Sequence, residues 1–96
     1  MLTLDQLAQI GRLQHLCEVL GWRVQLKRSA TPPHDVEELV YFAENGLWLD
    51  VLRVRSDTDA QAARLIRQSV VDNRPCAVWE AEGTLEVVLD RLVELR

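Results

Sequence analysis

An α/β fold of the α+β kind follows from three features of the sequence. These are an Asn-Gly dipeptide between two strand-like runs, strict polar/apolar alternation ahead of them, and helical periodicity towards both ends. The predicted order is helix, strand, strand, strand, helix, strand, helix, with a four-stranded mixed sheet that contains an antiparallel meander. Strands fall at about 22–28, 36–44, 47–55 and 76–81, and the helices that pack them at about 4–20, 58–72 and 84–96. At 96 residues and 11.0 kDa the chain is sized for a single compact domain, 1–96, with one core.

The first helix is signed at its start by a Thr3–Gln6 capping box and a Leu2–Leu7 hydrophobic staple. Leu7, Ile10, Leu13, Leu16 or Cys17, and Leu20 then recur at helical spacing, and Gly21 supplies the left-handed stop. Gly11 inside this helix suggests a close backbone approach. In the first strand Trp22, Val24 and Leu26 alternate with Arg23, Gln25 and Lys27, the pattern of an edge strand protected by cations. Pro32-Pro33 bounds it.

Asn45-Gly46 predicts a two-residue hairpin turn, which would set Tyr41 opposite Asp50 and Glu38 opposite Arg53. Alternation then places Val40, Phe42, Leu49 and Val51 on one face and Leu39, Ala43, Trp48, Leu52 and Val54 on the other. A hairpin apolar on both sides needs cover on both, from helices above and below or from a partner that supplies the missing layer.

Ser56-Asp57-Thr58-Asp59 reads as a helix start, with a Thr58–Gln61 capping box. Ala62, Ala63, Leu65, Ile66, Ser69 and Val70 would form its inner face, and Arg64, Arg67 and Gln68 its outer face. CAVWEA is a short fourth strand, and Gly83-Thr84 leads into a terminal helix with a stripe of Leu85, Val88, Leu89, Leu92 and Leu95. The third strand, the crossover helix and the fourth strand would make a βαβ unit with parallel strands, giving the order 1-2-3-4.

Net charge is −4, and its excess sits after residue 75, where five acidic residues face Arg91 and Arg96. That balance argues against sequence-independent nucleic-acid binding, although Arg53 and Arg55 with Arg23, Lys27 and Arg28 could form a local basic strip. No run of about 18 apolar residues crosses a membrane, and the N-terminus has no basic region followed by an apolar block, so a cytoplasmic protein is expected. Cys17 and Cys76 lack metal or redox spacing and read as small buried hydrophobes; His15 reads as a surface residue and His34-Asp35 as a loop dipeptide. Phosphate-loop, G-x-S-x-G and H-E-x-x-H motifs are missing from the sequence.

The segments LGWRVQLKRS and VEELVYFAENGLWLDVLRVR, within residues 4–81, resemble the helix, hairpin and motif region of the restriction-endonuclease-like PD-(D/E)xK nucleases. The resemblance implies a Mg²⁺ site built from Asp35, Glu37 and Asp50, with Glu38 as a further candidate, and a catalytic set of Asp50, Glu37 and Arg53. In Asp50-Val51-Leu52 the acid is kept and leucine stands at the lysine position, whereas Val51-Leu52-Arg53 keeps a cation and lacks the acid. The element order is also similar to that of type III secretion chaperones, which bind extended effector segments along apolar sheet surfaces as dimers.

The leading expectation is a non-catalytic protein-interaction module without cofactor: an adaptor, chaperone or inhibitor, including the kinds carried by phages and mobile elements. It would engage a protein partner through its sheet surface or its acidic terminal helix, and that helix could instead mediate a homodimer. Candidate partner-binding residues are Trp48, Trp79, Arg53, Arg55, Glu86, Asp90 and Glu94. The alternative is a divergent nuclease-fold protein that binds or cleaves nucleic acid with Mg²⁺.

Overall fold

The computed structural model describes residues 7–95. Its elements are α1 (Ile10–Glu18), β1 (Arg23–Arg28), β2 (Val36–Asn45), β3 (Trp48–Ser56), β4 (Asp59–Ile66), the single-turn α2 (Arg67–Val71), β5 (Ala77–Gly83) and α3 (Leu85–Glu94). The five strands form one sheet in the order β1-β2-β3-β4-β5, with every neighbouring pair antiparallel. The α+β class is therefore as expected, but the four-stranded mixed sheet and its βαβ crossover are not.

The difference lies in 58–72, where β4 and the short α2 replace a long helix. Ala, Gln, Arg and Leu favour a helix locally, yet Ala60, Ala62, Arg64 and Ile66 also alternate with Gln61, Ala63 and Leu65. As a strand the segment closes the outer edge of β3, which a helix over the same residues would leave with an open row of backbone donors and acceptors. Ser56-Asp57-Thr58-Asp59 makes the hairpin turn that permits this, with Ser56 paired to Asp59 and the Thr58 N–H donating to Ser56 Oγ at 3.3 Å. Residues that cap helices also make turns, because both uses rest on a short side chain that bonds nearby backbone.

The β2–β3 turn lies one residue later than predicted. Gly46 and Leu47 are its central pair, Asn45 is the last paired residue of β2, and Gly46 has φ +62°, as the first central position of a II′ turn requires. Partners consequently shift by two residues: Asp50 faces Ala43 rather than Tyr41, and Arg53 faces Val40 rather than Glu38. A shift of two preserves the faces, so both predicted sets of side chains stay together.

Among the described residues only one face of the sheet is covered by helices. Leu39, Tyr41, Leu52, Val54, Ala60 and Ala62 share it, and with Leu13 and Leu16 of α1 and Leu85, Val88, Leu89 and Leu92 of α3 they form one core. Leu52, Val54, Leu85 and Val88 are fully enclosed, each contributing about 1.5–3 kcal/mol of burial. The small side chains of Ala60, Ala62 and Ala81 let α3 lie close over β4 and β5. Asp57 in the β3–β4 turn ties both helices down: its carboxylate accepts the Ala8 N–H at 3.0 Å and its carbonyl accepts the Leu85 N–H at 2.9 Å. An Arg12–Asp90 ion pair at 2.8 Å joins α1 to α3.

The terminal helix begins as expected, with Thr84 Oγ1 accepting the Val87 N–H at 3.3 Å. The Thr3–Gln6 box and Leu2 lie outside the described residues, within which α1 is shorter than the predicted 4–20. Gly21, at φ +76°, ends its turn as predicted. Among the described residues nothing approaches within 4 Å of where a Gly11 side chain would begin, so none of them makes the expected close approach there. β1 is an edge strand, but Val24 and Leu26, predicted to face inward, remain 45% and 43% exposed. Cys17 is half-buried, and Cys76, predicted in a strand and buried, is exposed just ahead of β5.

Candidate binding face

The second face of the sheet carries neither α1 nor α3, and its side chains follow from alternation and register. One row across all five strands reads Arg23, Phe42, Val51, Ala63, Glu80; the next reads Gln25, Val40, Arg53, Gln61, Glu82. Leu49 and Leu65 extend the apolar centre towards the β2–β3 turn. The centre is thus Val40, Phe42, Leu49, Val51, Ala63 and Leu65, all half-buried. Part of it, with Arg53 and Glu80 on its margin, lines a shallow trough of about 670 Å³.

Charge divides this face by side. Arg23 and Lys27 stand on the β1 border, and Glu80 and Glu82 stand on the β5 border, all exposed. The Arg23 guanidinium lies 5.8 Å from the centre of the Phe42 ring, so a cation already flanks the apolar strip. Towards one end Glu38 is 4% exposed, held by Arg53 Nε at 3.2 Å and Arg55 Nε at 3.1 Å. Its Oε1 faces Arg53 as an ion pair without hydrogen-bond geometry. Arg55 also reaches Asp59 and Gln61, each at 3.2 Å, so this cluster is close to charge-balanced.

The covered face holds the other buried carboxylate. Asp50, 6% exposed, accepts from Arg64 Nε at 2.7 Å and Nη2 at 3.0 Å, and the two residues are direct partners on β3 and β4. This bidentate bond raises the Arg64 pKa above its already high ordinary value, against an opposing effect of burial. The sequence-based placement of Arg64 on the outside of a helix is overturned: it is a strand residue directly opposite Asp50. Nearby, burial and then the Cys17 thiol push Tyr41 up to about 12, and burial followed by Glu18 raises Cys17.

Glu37 stands six positions along β2 from Ala43, the residue facing Asp50, which is about 20 Å of strand. Asp35 lies further still, in the loop before β2. Among the described residues no three His, Cys, Asp or Glu side chains are grouped to hold a metal ion. Arg53, the third member of the alternative catalytic set, is on the opposite face from Asp50 and bound to Glu38. No family model, no curated protein and no solved structure matches this chain. No described helix is long and apolar enough to cross a membrane.

The candidate partner-binding residues fall on three surfaces. Arg53 and Arg55 are on the open face; Trp48 and Trp79 are half-buried on the covered face, where Arg91 lies 6.0 Å from the Trp79 ring centre. Glu86, Asp90 and Glu94 are exposed on the outer side of α3, Asp90 being paired with Arg12. Sequence reasoning had the Val40, Phe42, Leu49 and Val51 face through alternation. It had Arg23 and Lys27 on the outward side of an edge strand, but it missed Ala63 and Leu65 because β4 read as a helix, and with β4 it missed the pairing that puts Glu80 and Glu82 on the same face.

Proposed function

We propose that this chain is a small protein-binding module that works through the open face of its sheet. The observation that carries this reading is that both α1 and α3 lie on one side, leaving six apolar side chains uncovered on the other between charged borders. A centre that loses water on contact, rimmed by groups that set orientation, is the usual anatomy of a protein interface. Arg53 and Arg55 belong to that rim. The acidic outer side of α3 is the competing surface, and there Asp90 is already engaged and the exposed Val87 and Val93 are separated by charge.

A nucleic-acid reading has one observation in its favour, that Arg23, Lys27, Arg53 and Arg55 share a face. Two of those four cations are neutralised by Glu38 and Asp59, and Glu80 and Glu82 oppose the rest, which weakens attraction to a phosphate chain. The test is site-specific photo-cross-linking in cells from position 51 on the open face and from position 93 on the outside of α3. Protein adducts from 51 and few from 93 are expected; adducts confined to 93, or nucleic-acid adducts from 51, count against the proposal.

A further inference from the structure

We infer that the occupant of the open face is a second copy of this chain, joined face to face about a twofold axis running along β3. The inference rests on the open face being the binding surface, and its support is the way charge is distributed there. Cations on the β1 border and carboxylates on the β5 border make the face antisymmetric across the sheet. A twofold axis along the central strand lays the β1 border of one copy over the β5 border of the other. Arg23 then meets the mate of Glu80, with Lys27 near the mate of Glu82.

The same operation stacks complementary sizes. Phe42, large, lies over the mate of Ala63, small; Val51 meets its own mate on the axis, and in the next row Val40 lies over the mate of Gln61. A twofold axis across the strands instead puts each border over itself, cation on cation and carboxylate on carboxylate. Lateral pairing of β1 with β5 of another copy satisfies the charges too, but it leaves the apolar centre uncovered and generates an open array. On the axis Arg53 and Arg55 each lie beside their own mates and Glu38 falls beside the mate of Asp59, but within each copy these four groups already pair as one charge-balanced cluster, Arg53 and Arg55 with Glu38 and Arg55 with Asp59.

Five strands about 4.8 Å apart and six residues at about 3.4 Å give a face of roughly 24 by 20 Å, or about 1,000 Å² over two copies. That is near the lower bound for a specific interface, which makes a reversible dimer the expected form.

Sedimentation equilibrium of the purified full chain, from about 1 µM to 1 mM, should fit a monomer–dimer equilibrium with nothing larger. Arg23→Glu with Lys27→Glu should weaken dimerisation by about tenfold or more, and Glu80→Arg with Glu82→Arg should do the same. An equimolar mixture of the two variants should restore dimer to within about threefold of the parent, because both sets of border contacts become attractive again. All four positions are exposed, and cooperative unfolding of each variant alone confirms that it folds.

A chain that stays monomeric throughout, reversals without effect, or a mixture that fails to recover would each overturn the twofold arrangement. Growth beyond dimer would overturn it in favour of edge pairing. If the chain is monomeric while position 51 still cross-links a different protein, the face is a binding surface and only its occupant is misassigned. If both experiments fail, the proposed function fails with the inference.

Discussion

The two faces of β2 and β3 have nearly the same composition and opposite surroundings. On the covered face Leu39, Tyr41, Leu52 and Val54 are at most 3% exposed beneath α1 and α3; on the open face Val40, Phe42, Leu49 and Val51 are half-buried, with neither helix above them. Each face also holds one enclosed carboxylate, Asp50 on the covered side and Glu38 on the open side. The covered face therefore contributes most of the fold's stability, while the open face retains apolar area that the isolated chain does not enclose. Substitutions chosen in pairs, one on each face, separate these roles.

The largest expected contrast is between neighbours. Leu52→Ala removes a side chain with no exposure at the centre of the core and should cost about 3–5 kcal/mol of unfolding free energy. Val51→Ala, one residue away on the open face, should cost about 1 kcal/mol or less, since its site collapses into solvent rather than leaving a cavity. Urea denaturation gives both numbers. Comparable losses at the two positions would mean that the open face is internally packed and that its exposure does not mark a binding surface.

Asp50→Ala should come next, at about 2–4 kcal/mol, because Arg64 would keep its charge in a site where its side chain is only 14% exposed. Replacing both partners, Asp50→Leu with Arg64→Met, should cost less than the single change, since no unmatched charge is left behind. A double variant worse than Asp50→Ala would show that hydrogen-bond geometry, and not charge matching, dominates there.

This pair also shows what the sequence could convey. Hairpin strands, edge strand, terminal helix and both hairpin faces were readable, because each rests on local periodicity that the tertiary structure reinforces. The partner of Asp50 was not readable, since Arg64 becomes its neighbour only when 59–66 is a strand, and Ala-rich composition there argues for a helix. One turn displaced by a single residue altered every cross-strand partner while leaving the faces intact, so face membership proved more robust than register. That Glu80 and Glu82 share a face with Arg23 and Lys27 depends on the antiparallel pairing of β5 with β4, which local patterns do not encode.

Tyr41 gives a contrast that pH can read. Its phenol holds its proton to about 12 in the folded chain, against about 10 when unfolded, so the unfolded state loses the proton first as pH rises. The stabilisation is complete below pH 10 and disappears progressively towards pH 12, amounting to on the order of 2–3 kcal/mol. Tyr41→Phe should flatten that component of an alkaline unfolding profile. An unchanged slope in the variant would assign the alkaline loss to other groups, Cys17 on α1 among them.

The smallest effect should come from the carboxylate on the open face. Glu38 is as enclosed as Asp50, but Arg53 and Arg55 are 46% and 38% exposed, and Arg55 keeps Asp59 and Gln61 when Glu38 is neutralised. Both guanidinium groups can turn to water, so Glu38→Gln should cost only about 1 kcal/mol, well below Asp50→Ala. The same change would leave Arg53 uncompensated beside its own mate at the proposed dimer axis, and should therefore weaken self-association more than it weakens the fold. Unfolding and sedimentation measured on the one variant separate the two effects. A large stability loss with unaltered association would place Glu38 with the core rather than with the interface, and the two faces would then differ less than their exposure implies.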